Sequence, residues 1–176
     1  MVLEEPAGKS LGYWCPLKSG SPCVLSEREG NQEIFHSLDP VRGKGPQLGK
    51  IEVSEDEGWA LSPDGSRVAL VDEIRYRGRV ELLNLPDGTW HELSVEPEWG
   101  LLQSIAWAVD GKGFFATVWR PDSINLVYIT PFGKVNPLLR NGHRQWMVSP
   151  VPSPDGKYLA FQARTVDSNV WMLENF

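Results

Sequence analysis

The sequence predicts an all-β protein assembled from four copies of one small antiparallel sheet. Three observations carry this expectation. A turn centred on Asp-Gly recurs about every 45 residues, the apolar runs between turns have strand length, and the composition is rich in turn formers and aromatic residues. Seventeen glycines and 14 prolines supply the turns, while eight tryptophans, six phenylalanines and four tyrosines suit pleated, half-buried surfaces. With 41% hydrophobic and 23% charged residues, the 176-residue chain has globular composition, which excludes a disordered tail or a coiled coil.

The elements follow the repeat in order. In the first unit the diverged copy Lys18-Ser19-Gly20-Ser21-Pro22-Cys23-Val24-Leu25 precedes the run Ile34–Leu38 and the turn at Asp39-Pro40. In the second, Leu61-Ser62-Pro63-Asp64-Gly65-Ser66-Arg67-Val68-Ala69-Leu70 leads to Val80–Leu85, the turn Pro86-Asp87-Gly88 and the polar run Thr89–Leu93. The third has Trp107-Ala108-Val109-Asp110-Gly111-Lys112-Gly113-Phe114-Phe115-Ala116, then Leu126–Ile129, Pro131-Phe132-Gly133 and Lys134–Leu139. The fourth has Pro152-Ser153-Pro154-Asp155-Gly156-Lys157-Tyr158-Leu159-Ala160-Phe161 and then Val170–Leu173. The turn glycines Gly20, Gly65, Gly111 and Gly156 are 45, 46 and 45 residues apart.

Four short antiparallel strands per 45-residue unit is the period of a β-propeller blade. Aspartate and glycine reverse the chain between the first two strands of each blade, and the alternating strand that follows, such as Val68 and Leu70 or Leu159 and Phe161, buries one face on a neighbour. The expected blades are residues 10–53, 54–98, 99–142 and 143–176 of a single 1–176 domain. Val2-Leu3, within 1–9, stands where an outer strand could complete the last blade. Three assemblies fit: a closed four-bladed ring, half of a dimeric eight-bladed ring, or a fragment of a larger propeller.

On the strings Ser62-Pro63-Asp64-Gly65 and Ser153–Phe161 the chain resembles the WD40-like PD40 repeats of TolB-type β-propellers, over residues 10 to 176. The match weakens in the third unit, where Ala108-Val109 replaces Ser-Pro, and most in the first. The ending Asp167–Phe176 is similar to propeller tails that follow bacterial protein kinases and winged-helix regulators. The resemblance implies a bacterial sensing, scaffolding or protein-binding module, and no one ligand.

Composition narrows the partners. A net charge of −6 is the wrong sign for neutralising phosphates, so nucleic acid is not the expected partner. The longest stretches without a charged residue, 99–109 and 123–133, are half the length of a membrane-spanning helix. The opening Met-Val-Leu-Glu-Glu-Pro has no secretory pattern, which makes cytoplasm the default expectation and periplasm or exterior the expectation for a piece of a longer exported protein. Cys15 and Cys23 flank the first turn and read as two small buried hydrophobes, a cross-hairpin disulfide being the alternative the turn allows. His36, His91 and His143 are scattered, so no metal site or other cofactor is expected.

Gly8-Lys9-Ser10-Leu11-Gly12 fits Gly-x-Ser-x-Gly but lacks the strand–turn–helix context of a nucleophile elbow and reads as a loop. Gly43–Lys50 lacks the residues of a phosphate loop and reads as a turn between strands. Asp64, Asp110 and Asp155 recur with the fold and read as turn formers, with calcium binding the lesser alternative. No catalytic constellation is visible by spacing, and the chain reads as a non-enzyme, a propeller-type enzyme or the gating domain of a hydrolase being the lesser alternatives.

Trp107 and Trp171 fall in strands and read as core. Trp99 and Trp146 fall in connections that lead into inner strands, at the same end as the loops Arg75-Tyr76-Arg77, Arg120-Pro121-Asp122 and Arg164–Asp167. Arginine beside aromatic residues is the composition of protein-binding hot spots. The candidate binding residues are therefore Arg75, Tyr76, Arg77, Trp99, Arg120, Asp122, Trp146, Arg164 and Asp167, for a protein or peptide partner or, alternatively, a carbohydrate or small ligand. Solvated loops are the plainer reading, and homodimerisation is a further expectation.

Overall fold

Turns set the architecture. Gly65, Gly111 and Gly156 have φ of 75°, 68° and 70°, left-handed conformations that glycine adopts without steric cost, so each reverses the chain between adjacent antiparallel strands. The computed structural model describes residues 10–16, 20, 22–54, 57–99, 101–142 and 145–165, with backbone alone at 141–142, 145–148 and 164–165. Blade 1 comprises β1 (Leu11–Trp14), β2 (Cys23–Glu29), β3 (Gln32–Asp39) and β4 (Gly43–Glu52). Blade 2 comprises β5 (Glu57–Leu61), β6 (Arg67–Asp72), β7 (Arg79–Asn84) and β8 (Thr89–Ser94). A 3-10 turn at Pro97–Trp99 leads into blade 3, with β9 (Leu102–Trp107), β10 (Phe114–Arg120), β11 (Ser123–Ile129) and β12 (Val135–Gly142). Blade 4 has β13 (Gln145–Pro152) and β14 (Leu159–Thr165).

Strand order follows the chain in every sheet, and every pairing is antiparallel. The expected strands at Val170–Leu173 and Val2-Leu3, and with them Trp171, lie outside the described residues. The four inner strands converge on a small cavity of about 110 Å³, lined by Trp14 of β1, Leu61 of β5, Trp107 of β9 and Val151 of β13 among others.

Alternation along β6 shows how the blades cohere. Val68 and Leu70, both 0% exposed, pack with Val24 and Phe35 of blade 1 and with Leu83. Ala69 and Val71 point the other way, into a core with Val80, Trp107, Phe114, Ala116 and Val118 that joins blades 2 and 3. Each fully buried valine or leucine contributes about 1.5–3 kcal/mol. As expected, Trp107 is core, and its indole N–H donates to the Ala60 carbonyl of blade 2 at 3.1 Å. In blade 4 the same positions are wetter than expected: Leu159 packs on Ile124 and Leu126, but Phe161 remains 37% exposed.

The turn aspartates act as expected. The Ser62 hydroxyl donates to Asp64 Oδ1 (2.6 Å) and accepts from the backbone N–H groups of Ser66 (3.1 Å) and Arg67 (2.9 Å). That serine bond is the largest of the effects holding the Asp64 carboxyl at about 2. Blade 4 repeats the lock with Ser153 on Asp155 (2.6 Å) and Tyr158 N–H on Ser153 Oγ (3.0 Å). Blade 3 has Ala108 instead and keeps only the Lys112 N–H to Asp110 Oδ1 bond, 3.0 Å.

Three expectations require correction. Cys15 is exposed and disulfide-bonded to Cys23, their Cα atoms 4.1 Å apart; only Cys23 is buried, beside Leu25 and Leu38. Continuing the pairing Trp14↔Val24 by one step sets the two cysteines directly opposite, where a cross-strand bond is short enough to close. Gly43–Lys50 is strand β4 and not a turn. As the outer strand it tolerates Pro46, which has no N–H to donate, and bulges opposite His36 absorb the irregularity. Gly49 is needed there, because a Cβ would stand 2.8 Å from Leu83 of blade 2. Finally, Leu11 and Gly12 belong to β1 and not to a loop.

Candidate functional site

Antiparallel pairing puts the Asp-Gly turns at one end of the blades and the β2–β3, β6–β7 and β10–β11 connections at the other, the loop end. Burial decides the shape of the β6–β7 loop. Asp72, 1% exposed, accepts from the N–H groups of Ile74 (3.0 Å) and Arg75 (2.8 Å), and from the Ser54 hydroxyl (2.7 Å). Burial alone would raise its carboxyl, but these bonds and one from Ser54 N–H outweigh it and hold the group below the usual carboxylate range. The anchored aspartate presents the next residues outward.

Arg75 pairs with Glu52 of blade 1. The Tyr76 hydroxyl donates to the Glu52 carbonyl at 2.6 Å, so both residues stitch the two blades. Burial raises the Tyr76 phenol. Arg79, which sequence reading passed over, lies 5.1 Å over the Tyr76 ring and also pairs with Glu81 (3.0 Å) and Glu92 (2.7 Å). Arg77 is exposed and has no ion pair among the described residues.

In blade 3 the structure brings two of the candidate residues together. The Arg120 guanidinium lies 4.9 Å over the ring of Trp99, which is half-buried in the 3-10 turn against the core of blades 2 and 3. Asp122 pairs with Arg140, and a Ser123 hydroxyl bond of 3.0 Å is the first cause of its lowered pKa. Trp119, 42% exposed beside Arg120, was also missed. Its signal was the alternation of β10, which sets Phe115, Thr117 and Trp119 on one side.

The remaining candidates differ from expectation in placement. Trp146 and Arg164 lie within β13 and β14, not in connections, because the blade 4 hairpin runs further than its apolar core suggests; they are backbone partners in the strand register. Asp167 lies outside the described residues. Beneath these loops, between blades 1 and 2, Glu33 is 3% exposed and burial pushes its carboxyl up, with Arg28 bridging to Glu57 nearby. Among the described residues no three His, Cys, Asp or Glu side chains gather as metal ligands, and no helix is long and apolar enough to cross a membrane.

What this end offers chemically is two planar cations held over aromatic rings, Arg79 on Tyr76 and Arg120 on Trp99, the first also paired with Glu81 and Glu92. Such groups suit flat recognition of carboxylates, amides and rings.

No protein-family model and no curated sequence matches the chain. Solved structures do. TolB from Acinetobacter baumannii superposes with a TM-score of 0.64 at 18% identity over 85% of this chain and 36% of that one. Prolyl oligopeptidase B from Galerina marginata gives 0.58 at 15% identity, over 90% of this chain and 28% of that one. The Myceliophteria thermophila Cps50 (Swd1) β-propeller domain gives 0.54 at 12%, over 80% and 45%. The chain thus spans less than half of each of these chains. At these identities the likeness shows the fold, a β-propeller of the TolB and WD40 kind, and the neighbours include both a peptidase and proteins not so described.

Proposed function

We propose that this chain is a non-catalytic propeller module that binds a protein or peptide across its loop end. The observation that carries the reading is Arg120 stacked on Trp99, an arginine and a tryptophan from different elements pre-positioned at the rim of one face. Arginine, tyrosine and tryptophan dominate protein hot spots, and side chains already held in place lose less entropy on binding. Arg77 and Trp119 extend the same surface outward, with Asp122 on it and Trp146 and Arg164, at the same end of β13 and β14, as further proposed members. The ion pairs of Arg75 and Asp122 support a scaffolding share in this surface rather than direct contact. A bacterial source is what the repeat resemblance implies. The Cys15–Cys23 disulfide supports an oxidising compartment, periplasmic or extracellular, over the cytoplasmic default.

The experiment is site-specific photocross-linking. A photoreactive residue at Arg77 or Trp119 is expected to capture a defined partner, and one at Asp87, at the turn end, is expected to capture none. Capture should fall at least roughly tenfold in Arg120→Ala and Trp99→Ala, given that hot-spot truncations cost about 2 kcal/mol or more. Capture at Asp87 equal to that at Arg77, or capture indifferent to Arg120, would overturn the assignment.

A further inference from the structure

Where blades 2 and 3 meet at the turn end, a cavity of about 280 Å³ has an arginine of the chain itself in its wall. The guanidinium of Arg67, the first residue of β6, lies 4.6 Å over the Trp107 ring and donates to the Gly111 carbonyl at 3.4 Å. The repeat fixes its equivalents. Ser62 N–H to Arg67 carbonyl, Ala108 N–H to Gly113 carbonyl and Ser153 N–H to Tyr158 carbonyl are one turn hydrogen bond in three blades, each at 2.8 Å. Blade 3 therefore carries a glycine where blade 2 carries its arginine. A Cβ on Gly113 would stand 2.4 Å from the Tyr128 hydroxyl, so the phenol occupies that space and no longer side chain fits.

The next wedge, between blades 3 and 4, is larger and has no arginine among its described lining residues. It holds a cavity of about 500 Å³, within the range of small-ligand sites. Phe115 and Tyr128 form its corner, ring centroids 5.5 Å apart and planes at 63°, and Tyr158, 73% exposed, stands on the rim. The turn aspartates Asp110 and Asp155, at the same repeat position in adjacent blades, bring two carboxylates to the opening. Lys157 Nζ lies 3.8 Å from Asp155 Oδ2 and neutralises one of them. Asp110 has no ion pair among the described residues; its Oδ1 accepts the Lys112 N–H. An unneutralised carboxylate beside an angled pair of rings favours a cation and repels an anion.

We propose that this wedge binds the ammonium or guanidinium of a basic peptide side chain, seated between the Phe115–Tyr128 corner and Asp110. The ligand's cation would meet rings in this wedge as Arg67 meets Trp107 one blade earlier. This site lies at the opposite end from the proposed protein-binding loops and does not depend on them.

Titration of the full chain, followed by amide NMR shifts, tests it with four probes: N-acetyl-arginine amide, N-acetyl-lysine amide, the neutral N-acetyl-norleucine amide, and glucose. Both cations are expected to shift the amides of Asp110, Gly156 and Tyr158, and the two neutral probes to leave them unmoved. Binding should weaken roughly fivefold in Asp110→Asn and roughly threefold in Tyr158→Ala, consistent with a partly exposed cation site. Neither change disturbs a buried group, since asparagine still accepts the Lys112 N–H and Tyr158 is exposed. A basic peptide should bind more tightly than the single amino-acid amides, and Arg120→Ala should leave all these affinities unchanged. Binding of norleucine amide or glucose equal to that of the cations overturns the proposal. So does cation binding indifferent to Asp110→Asn, or no shift with either cation at roughly 10 mM, where even a millimolar site is nearly full.

Discussion

Replacing Ser62 by alanine tests whether the blade turn is held by its side-chain lock. The hydroxyl is buried at 1% residue exposure and serves two N–H groups and one carboxylate. In Ser62→Ala the Ser66 N–H keeps its 3.0 Å bond to Asp64 Oδ1, but the Arg67 N–H loses its acceptor. One orphaned, partly buried donor together with the lost serine–aspartate bond costs about 2 kcal/mol. For a domain of this size that is about 4–8 °C in Tm. Urea unfolding followed by tryptophan fluorescence at pH 7 should show a lower midpoint with an unchanged slope. The Asp64 carboxyl, held at about 2 against an ordinary 3.8, adds an acid arm. Its contribution is present above pH 3.8 and lost as pH falls towards 2, and because Asp64 is exposed it is discounted to about 1 kcal/mol. Asp64→Asn should flatten that acid limb. Blade 3 supplies the converse, because Ala108 sits in the same turn with the same backbone bonds of 2.8 and 2.9 Å. Ala108→Ser should therefore raise stability by about 0.5–1 kcal/mol. An unchanged midpoint in Ser62→Ala, with no gain in Ala108→Ser, would refute the lock.

Gly133 has φ of 78°, and a Cβ there would lie 1.9 Å from the Ser94 carbonyl oxygen; Gly133→Ala should cost about 3 kcal/mol or more, read as a drop in urea midpoint. Glu33, whose carboxyl burial raises, is most stabilising below its unfolded value of 4.5, and that share is lost as pH rises through the raised folded value. Glu33→Gln should therefore be more stable than the parent at pH 8 by about 1 kcal/mol and similar at pH 4, checked by urea midpoints at both. Reducing the Cys15–Cys23 disulfide, which spans a sequence separation of 8, should lower stability by about 2.5 kcal/mol, measured by calorimetry with and without a dithiol; Cys15→Ser should abolish the difference.

The blades were legible because their determinants are local. An Asp-Gly pair, an alternating Val68–Leu70 strand and a Pro-Asp-Gly turn each act within a few residues, so period and parity could be read directly. What escaped is the pairing of residues from different blades. Arg67 meets Trp107, Arg75 meets Glu52 and Arg120 meets Trp99 through backbone placement that no short spacing encodes. Gly43–Lys50 escaped for the opposite reason. Its glycines and proline are turn formers locally, and only its position at the outer edge makes them acceptable in a strand. The cysteines were ambiguous because a two-strand register error of one residue would separate them.

The chain-order pairing within every sheet has a consequence for synthesis. Among the described residues each strand hydrogen-bonds to the strand just made or the one about to be made. In blades 1, 2 and 3 a half-finished sheet therefore does not wait for a distant segment. Blade 1 can pair before blade 2 has been translated. Blade 2 then arrives to find Val24 and Phe35 already arrayed as a template for Val68, Leu70 and Leu83. Growth by accretion of this kind exposes one unsatisfied apolar face at a time, which limits the window in which nascent chains can stick to one another.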